Sequence, residues 1–217
     1  MNEHWLSSEQ SVREPRKKKS LIMTKPKLIT SLLGNRKIFL TGFMGTGKTV
    51  IGLILHGKLR IPFYDLDWEI EDKYQRSISD IFIDEGEKSF RCYESDMLDE
   101  IISKIEPAII SLGGGALKNK SVRARVRSLG ILITLLAEPV DLLPRLHRGQ
   151  RKTLFIMTGK SADGIDKDDV VLDTISKLMK KREKIYKDCD FSVFTGGKRV
   201  LAVANEILKK LELHLAQ

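Results

Sequence analysis

Gly42-Phe43-Met44-Gly45-Thr46-Gly47-Lys48-Thr49 reads G-x-x-x-x-G-K-T, a spacing suited to holding phosphate. Glycines let successive backbone N–H groups turn inward onto phosphate oxygens. Lys48 supplies a mobile cation for the β- and γ-phosphates, and the Thr49 hydroxyl is a ligand for Mg²⁺. The other reading is a chance glycine loop in an ordinary βα turn, and Gly, Gly, Lys and Thr standing together in register count against it.

Three more stretches carry chemistry. Asp65-Leu66-Asp67 places two carboxylates on one side of an extended chain. One suits Mg²⁺, directly or through water, and the other an acceptor hydroxyl; alternatively both are acids favoured at a helix N-terminus. Arg91, among Glu85, Glu87, Glu94 and Asp96, is either a surface ion-pair partner or a fork for a substrate carboxylate. Gly113-Gly114-Gly115 either lets a ligand approach the backbone or is a plain turn. His147-Arg148-Gly149-Gln150-Arg151-Lys152-Thr153-Leu154 reads as an arginine-rich loop, either a mobile lid over phosphates or a solvated segment.

These groups need elements to position them. Lys37-Ile38-Phe39-Leu40-Thr41 predicts a buried strand before the glycine loop, and Val50 to Leu55 continue the helix after it. Ile61 to Asp65, Ala108 to Leu112, Ile131 to Leu136 and Phe191 to Phe194 predict four more strands. Helices are expected at Trp68 to Tyr74, from Ser77, around Tyr93 to Ile102, and at Ser121 to Arg127. Others are expected at Val140 to Leu146, Val170 to Tyr186 and Val200 to Leu213. The alternation predicts an α/β fold of three layers, a central parallel five-stranded sheet flanked by helices. Residues 160–169 read as a polar insertion.

Composition bounds the partners. The chain of 217 residues is 41% hydrophobic and 31% charged, enough for a core and a polar surface. Nine lysines and arginines before Ile38 face only Glu3, Glu9 and Glu14, so most of the net charge of +9 lies there. Residues 1–34 are expected to be a basic, disordered extension and residues 35–217 a single domain. Arg16-Lys17-Lys18-Lys19 is read as a solvated run in preference to a nucleic-acid contact. The working protein is expected to start near Met23. No apolar run approaches the roughly 18 residues of a membrane span. Cys92 and Cys189 fit a reducing cytosol, so a cytoplasmic protein is expected, with no nucleic-acid or membrane partner.

The ordered set resembles the shikimate kinase family, among the nucleoside monophosphate kinase-like P-loop kinases. It comprises the Gly42–Thr49 loop, Asp65-x-Asp67, Gly86-Glu87-x-x-Phe90-Arg91, Gly113-Gly114-Gly115, an arginine-bearing lid and Arg182-x-x-x-Tyr186. The likeness covers about residues 35–215. It implies ATP-dependent phosphorylation of the 3-hydroxyl of shikimate, a step toward aromatic amino acids, by a monomer using Mg²⁺. Gly45, Thr46, Gly47, Lys48, Thr49 and Val50 would hold ATP, and Thr49 and Asp65 the metal. Asp67 would bind the acceptor hydroxyls and act as base or orienting group. Arg91, Gly114 and Arg182 would bind shikimate, with Phe82 and Phe90 lining its pocket and Glu94 pairing with Arg91. Arg151, in a lid near residues 147–168, would reach the transferred phosphate, making Lys48, Asp67 and Arg151 the catalytic set. Positions near adenine fall to Arg145 or Arg148 and to Lys198 and Arg199.

The chain departs from the family pattern in three places. Lys152-Thr153 stands where Pro-Leu usually follows the lid arginine, Val50 replaces a second threonine, and the stretch from the lid to Arg182 is longer. Proline would fix the turn after Arg151, so the departures bear on the lid more than on the reaction. The competing readings are another small-molecule kinase of this fold, for gluconate or a nucleotide, and a catalytically silent nucleotide-binding protein.

Overall fold

The computed structural model describes residues 25–159 and 165–217. The Arg16–Lys19 run, the expected start at Met23 and residues 160–164 of the polar insertion lie outside the described residues.

Five strands form the sheet: β1 (Lys37–Gly42), β2 (Phe63–Asp65), β3 (Ile109–Ser111), β4 (Gly130–Leu136) and β5 (Phe191–Phe194). Their order is β2-β3-β1-β4-β5, and every pair is parallel. All five expected strands are present. Ile38 of β1 stands beside Ile109 of β3 and Ile131 of β4, which places the C-terminal ends of the central strands together. Ligands of open parallel sheets bind at that edge.

Nine α-helices are found among the described residues: α1 (Lys25–Leu33), α2 (Lys48–Leu59), α3 (Leu66–Tyr74), α4 (Ile78–Ile102), α5 (Lys120–Leu129), α6 (Pro139–Leu142), α7 (Arg148–Met157), α8 (Asp168–Lys187) and α9 (Val200–Leu215). Side chains alternate across β1 because successive residues of a strand point to opposite faces. Ile38 and Leu40 pack with Ile51 and Leu55 of α2 and Ile207 and Leu211 of α9. Phe39 packs on the other face with Leu66 and Ile70 of α3, Leu98 of α4 and Val126 of α5. A third cluster joins Phe43 to Leu142, Leu154, Phe155, Val171 and Ile175, fixing α6, α7 and α8 at the ligand edge of the sheet.

Two expectations about elements need correction. Residues 25–33 are not part of a disordered extension. They form α1, whose Ile29 and Leu33, one helical turn apart, are fully buried against the cluster shared with α2 and α9. Two helical stretches of α4 meet within Asp84 to Arg91, as expected: Gly86, with φ 80° and ψ 174°, breaks the helical path, and its positive φ suits glycine. The segment after His147 is a helix, not a loop. His147 caps it by accepting from the Gln150 N–H, and Leu154 and Phe155 bury its inner face.

Candidate active site

The glycine loop bridges the end of β1 and the start of α2. Gly45 and Gly47 take φ values of 80° and 91°, the left-handed region that glycine enters without steric cost. The Thr46 hydroxyl donates to the Phe43 carbonyl at 2.8 Å and ties the loop to itself. Lys48 donates to the carbonyls of Gly42 at 3.0 Å and Phe43 at 3.1 Å. Burial lowers its pKa, and the nearby Asp67 and Asp65 charges oppose that shift. Val50 lies on the cavity lip, half exposed.

Asp65 ends β2 and caps α3. Its Oδ2 accepts from the Thr49 hydroxyl at 2.6 Å and its Oδ1 from the Asp67 N–H at 3.1 Å. A hydroxyl and a carboxylate, both hard oxygen donors beside the phosphate loop, fit Mg²⁺, which uses few protein ligands and completes its shell with water and phosphate. Asp67 stands one step into α3. Its pKa is pushed up to about 7, first by burial, then by the neighbouring Asp65 and Glu94 carboxylates.

The opposite wall is built from α4, the glycine triplet after β3, and α8. Arg91 pairs with Glu94 one turn on and donates to Glu87 at 3.0 Å. Burial works against its charge, but Glu94 and Glu87 more than offset this, so its pKa is raised. The guanidinium lies 5.1 Å from the Phe90 ring centre and 5.9 Å from that of Phe82. Phe90 borders the cavity, whereas Phe82 backs Phe90, their ring centres 4.6 Å apart. Arg182 is fully buried on α8. It donates to the Gly114 carbonyl at 3.0 Å, beside the Tyr186 hydroxyl on the same oxygen at 2.8 Å.

The triplet Gly113-Gly114-Gly115 makes room for side chains of this wall. A Cβ on Gly113 would fall 2.1 Å from Glu94 Oε1, and one on Gly115 would fall 2.4 Å from Arg91 Nη2. Glu94 is buried, its Oε1 has no hydrogen-bond partner, and burial raises its pKa against the pull of Arg91 and Arg182. That free acceptor beside Asp67 marks a place for a donor.

Between the walls lies a cavity of about 800 Å³. Lys48, Thr49, Asp65, Asp67, Arg91, Gly114 and Arg182 all border it, so residues scattered over more than 130 positions meet in one place. Arg151 is not among them. Its guanidinium turns away to Asp168 at 2.9 Å and to the carbonyls of Leu146, Ile165 and Leu143. Arg145 borders the cavity, held to Thr195 at 3.2 Å, whereas Arg148 projects outward and Lys198 pairs with Glu206. Sequence reasoning missed Lys152 and Trp68, both on the cavity wall. The signal for Lys152 was helical spacing: Gly149, Lys152 and Thr153 share one face of α7.

The chain is similar to known proteins over most of its length. A family model described as shikimate kinase matches residues 44–212. The shikimate kinase of Chlorobaculum tepidum is 39% identical over 181 residues, covering 82% of this chain and 91% of that protein. The crystal structure of shikimate kinase from Bacteroides thetaiotaomicron superposes with a TM-score of 0.68 at 30% identity, covering 82% of this chain and 98% of that one. Shikimate kinase from Acinetobacter baumannii in complex with shikimate gives 0.71 at 29% identity, over 84% and 96%. The chain belongs to the shikimate kinase family.

Proposed function

We infer that this chain is a phosphotransferase that moves the γ-phosphoryl group of ATP to the 3-hydroxyl of shikimate. The observation that carries this reading is the meeting of Lys48 and Thr49 with Asp67, Arg91 and Arg182 around one cavity. One half suits a nucleotide triphosphate, and the other suits a small polyol with a carboxylate. Arg91 and Arg182 provide the cations for that carboxylate, and the Gly114 backbone closes the same corner.

The acceptor oxygen bonds to the γ-phosphorus, the bond to the β–γ bridging oxygen breaks, and ADP leaves. The acceptor proton passes to Asp67, whose raised pKa lets it accept and hold a proton near neutrality. Lys48 and the loop N–H groups orient the phosphates and offset their charge. Thr49 and Asp65 would hold Mg²⁺, which when bound neutralises phosphate charge. Glu94 keeps Arg91 in position from behind.

The enzyme works as a monomer in this reading. Cys92 and Cys189, both free thiols, support a cytoplasmic setting. Among the described residues no helix is long and apolar enough to cross a membrane. The test is ADP release with shikimate, gluconate and nucleoside monophosphates offered in turn. Turnover with shikimate alone is expected, and turnover only with another acceptor would replace this reading by the second kinase reading.

A further inference from the structure

The helix α7 sorts its side chains between two faces. Successive residues turn by about 100°, so Arg151, Leu154 and Phe155 fall together and Gly149, Lys152 and Thr153 fall together. Leu154 and Phe155 are buried in the cluster with Leu146 and Val171, which sets the inner face. Arg151 follows them inward, its side chain only 17% exposed. Asp168 and three carbonyls occupy its donors, so turning it to the cavity would strip several acceptors at once. Lys152 falls on the other face and borders the cavity together with Lys48, Thr49 and Asp67. It is exposed and makes no ion pair among the described residues. Thr153 beside it is buried and shares a 2.8 Å hydrogen bond with Ser79 of α4, which holds this face of α7 toward the cavity.

We propose that Lys152, not Arg151, is the cation that α7 offers to the transferred phosphoryl group, and that Arg151 is a positioning residue that anchors the helix. This rests on the phosphoryl-transfer reading above. The transferring group spreads negative charge over its equatorial oxygens, and a mobile ammonium on a four-carbon stem meets that charge without a fixed fork geometry. Arg151, bound to fixed carbonyls, keeps the α7 backbone in the register that aims Lys152.

The experiment uses the full chain and the variants Lys152→Ala, Lys152→Arg, Arg151→Ala, Asp168→Asn and the Arg151→Ala/Asp168→Asn pair. Turnover is measured with shikimate, and ATP and ADP affinities are measured by calorimetry with Mg²⁺ present. Lys152→Ala is expected to lower kcat on the order of a hundredfold and to weaken ATP binding more than ADP binding. Lys152→Arg should restore most of both. Arg151→Ala and Asp168→Asn should give similar, smaller losses that do not add in the pair, and should speed amide hydrogen exchange in α7. Lys152→Ala within about threefold of the parent in kcat, or Arg151→Ala as the variant that selectively loses ATP affinity, overturns the assignment. If the parent itself fails to phosphorylate shikimate, the substrate reading falls, and the comparison of ATP with ADP binding still decides between Lys152 and Arg151.

Discussion

The Thr49 hydroxyl and the Asp65 carboxylate lie 2.6 Å apart, one opening α2 and the other closing β2. The contact joins the glycine loop to the strand end that carries Asp65 and Asp67. Asp65→Asn keeps the shape and removes the charge. Groups that orient a metal ligand typically matter 10- to 100-fold in metal affinity. Titrating Mg²⁺ into the turnover assay should therefore show a half-saturating concentration raised by about that factor, with shikimate KM moved much less. An unchanged Mg²⁺ dependence would remove Asp65 from the metal site.

Gly113 and Gly57 make opposite predictions. A methyl group on Gly113 meets Glu94 Oε1, and Glu94 holds Arg91. Gly113→Ala should cost about 1–3 kcal/mol of stability and raise KM for shikimate as Arg91 shifts. Gly57 lies within α2 with nothing within 4 Å of the added atom. Gly57→Ala should stabilise by about 0.5–1 kcal/mol with kinetics unchanged. Urea denaturation of both variants reads the two signs directly.

Ser79 and Thr153 form the polar tie between α4 and α7. Thr153→Val removes the hydroxyl, keeps the volume and leaves Ser79 partly open to solvent. The loss expected is about 1 kcal/mol. Because the tie holds α7 to α4 beside the cavity, hydrogen exchange of α7 should rise more than that of the central strands, and a uniform rise would mean that the contact acts only on global stability.

The strands were legible because they are short, largely apolar runs, and β1, β2 and β3 lead into a glycine loop, an aspartate pair and a glycine triplet. The phosphate loop was legible because its spacing leaves few alternatives. Arg182 was placed only through family likeness, since nothing local distinguishes it from Lys180, Lys181 or Lys184; its burial depends on the glycine triplet 68 residues away. The seven-residue span from His147 to Thr153 misled because its charge reads as a loop, while Leu154 and Phe155 find their partners outside that span, in α6 and α8. α1 failed for the same reason: its two apolar anchors mean little until α9 supplies the surface they cover.

Asp67 links function to stability through pH. Its pKa of about 7 in the folded, ligand-free protein compares with 3.8 for an unperturbed aspartate. As pH rises from about 4 to 7 the unfolded chain loses this proton first, so folding stability falls across that window and levels off above it. Asp67→Asn abolishes the effect. In metal-free buffer at pH 8 the variant should be more stable than its parent, by about 1–3 kcal/mol, and the gap should close toward pH 4. Turnover at pH 8 should fall by about 10²- to 10⁴-fold while ATP binding persists. A variant no more stable than the parent at pH 8 would show that the carboxylate is not strained in its site, and turnover near the parent's would remove Asp67 from proton transfer.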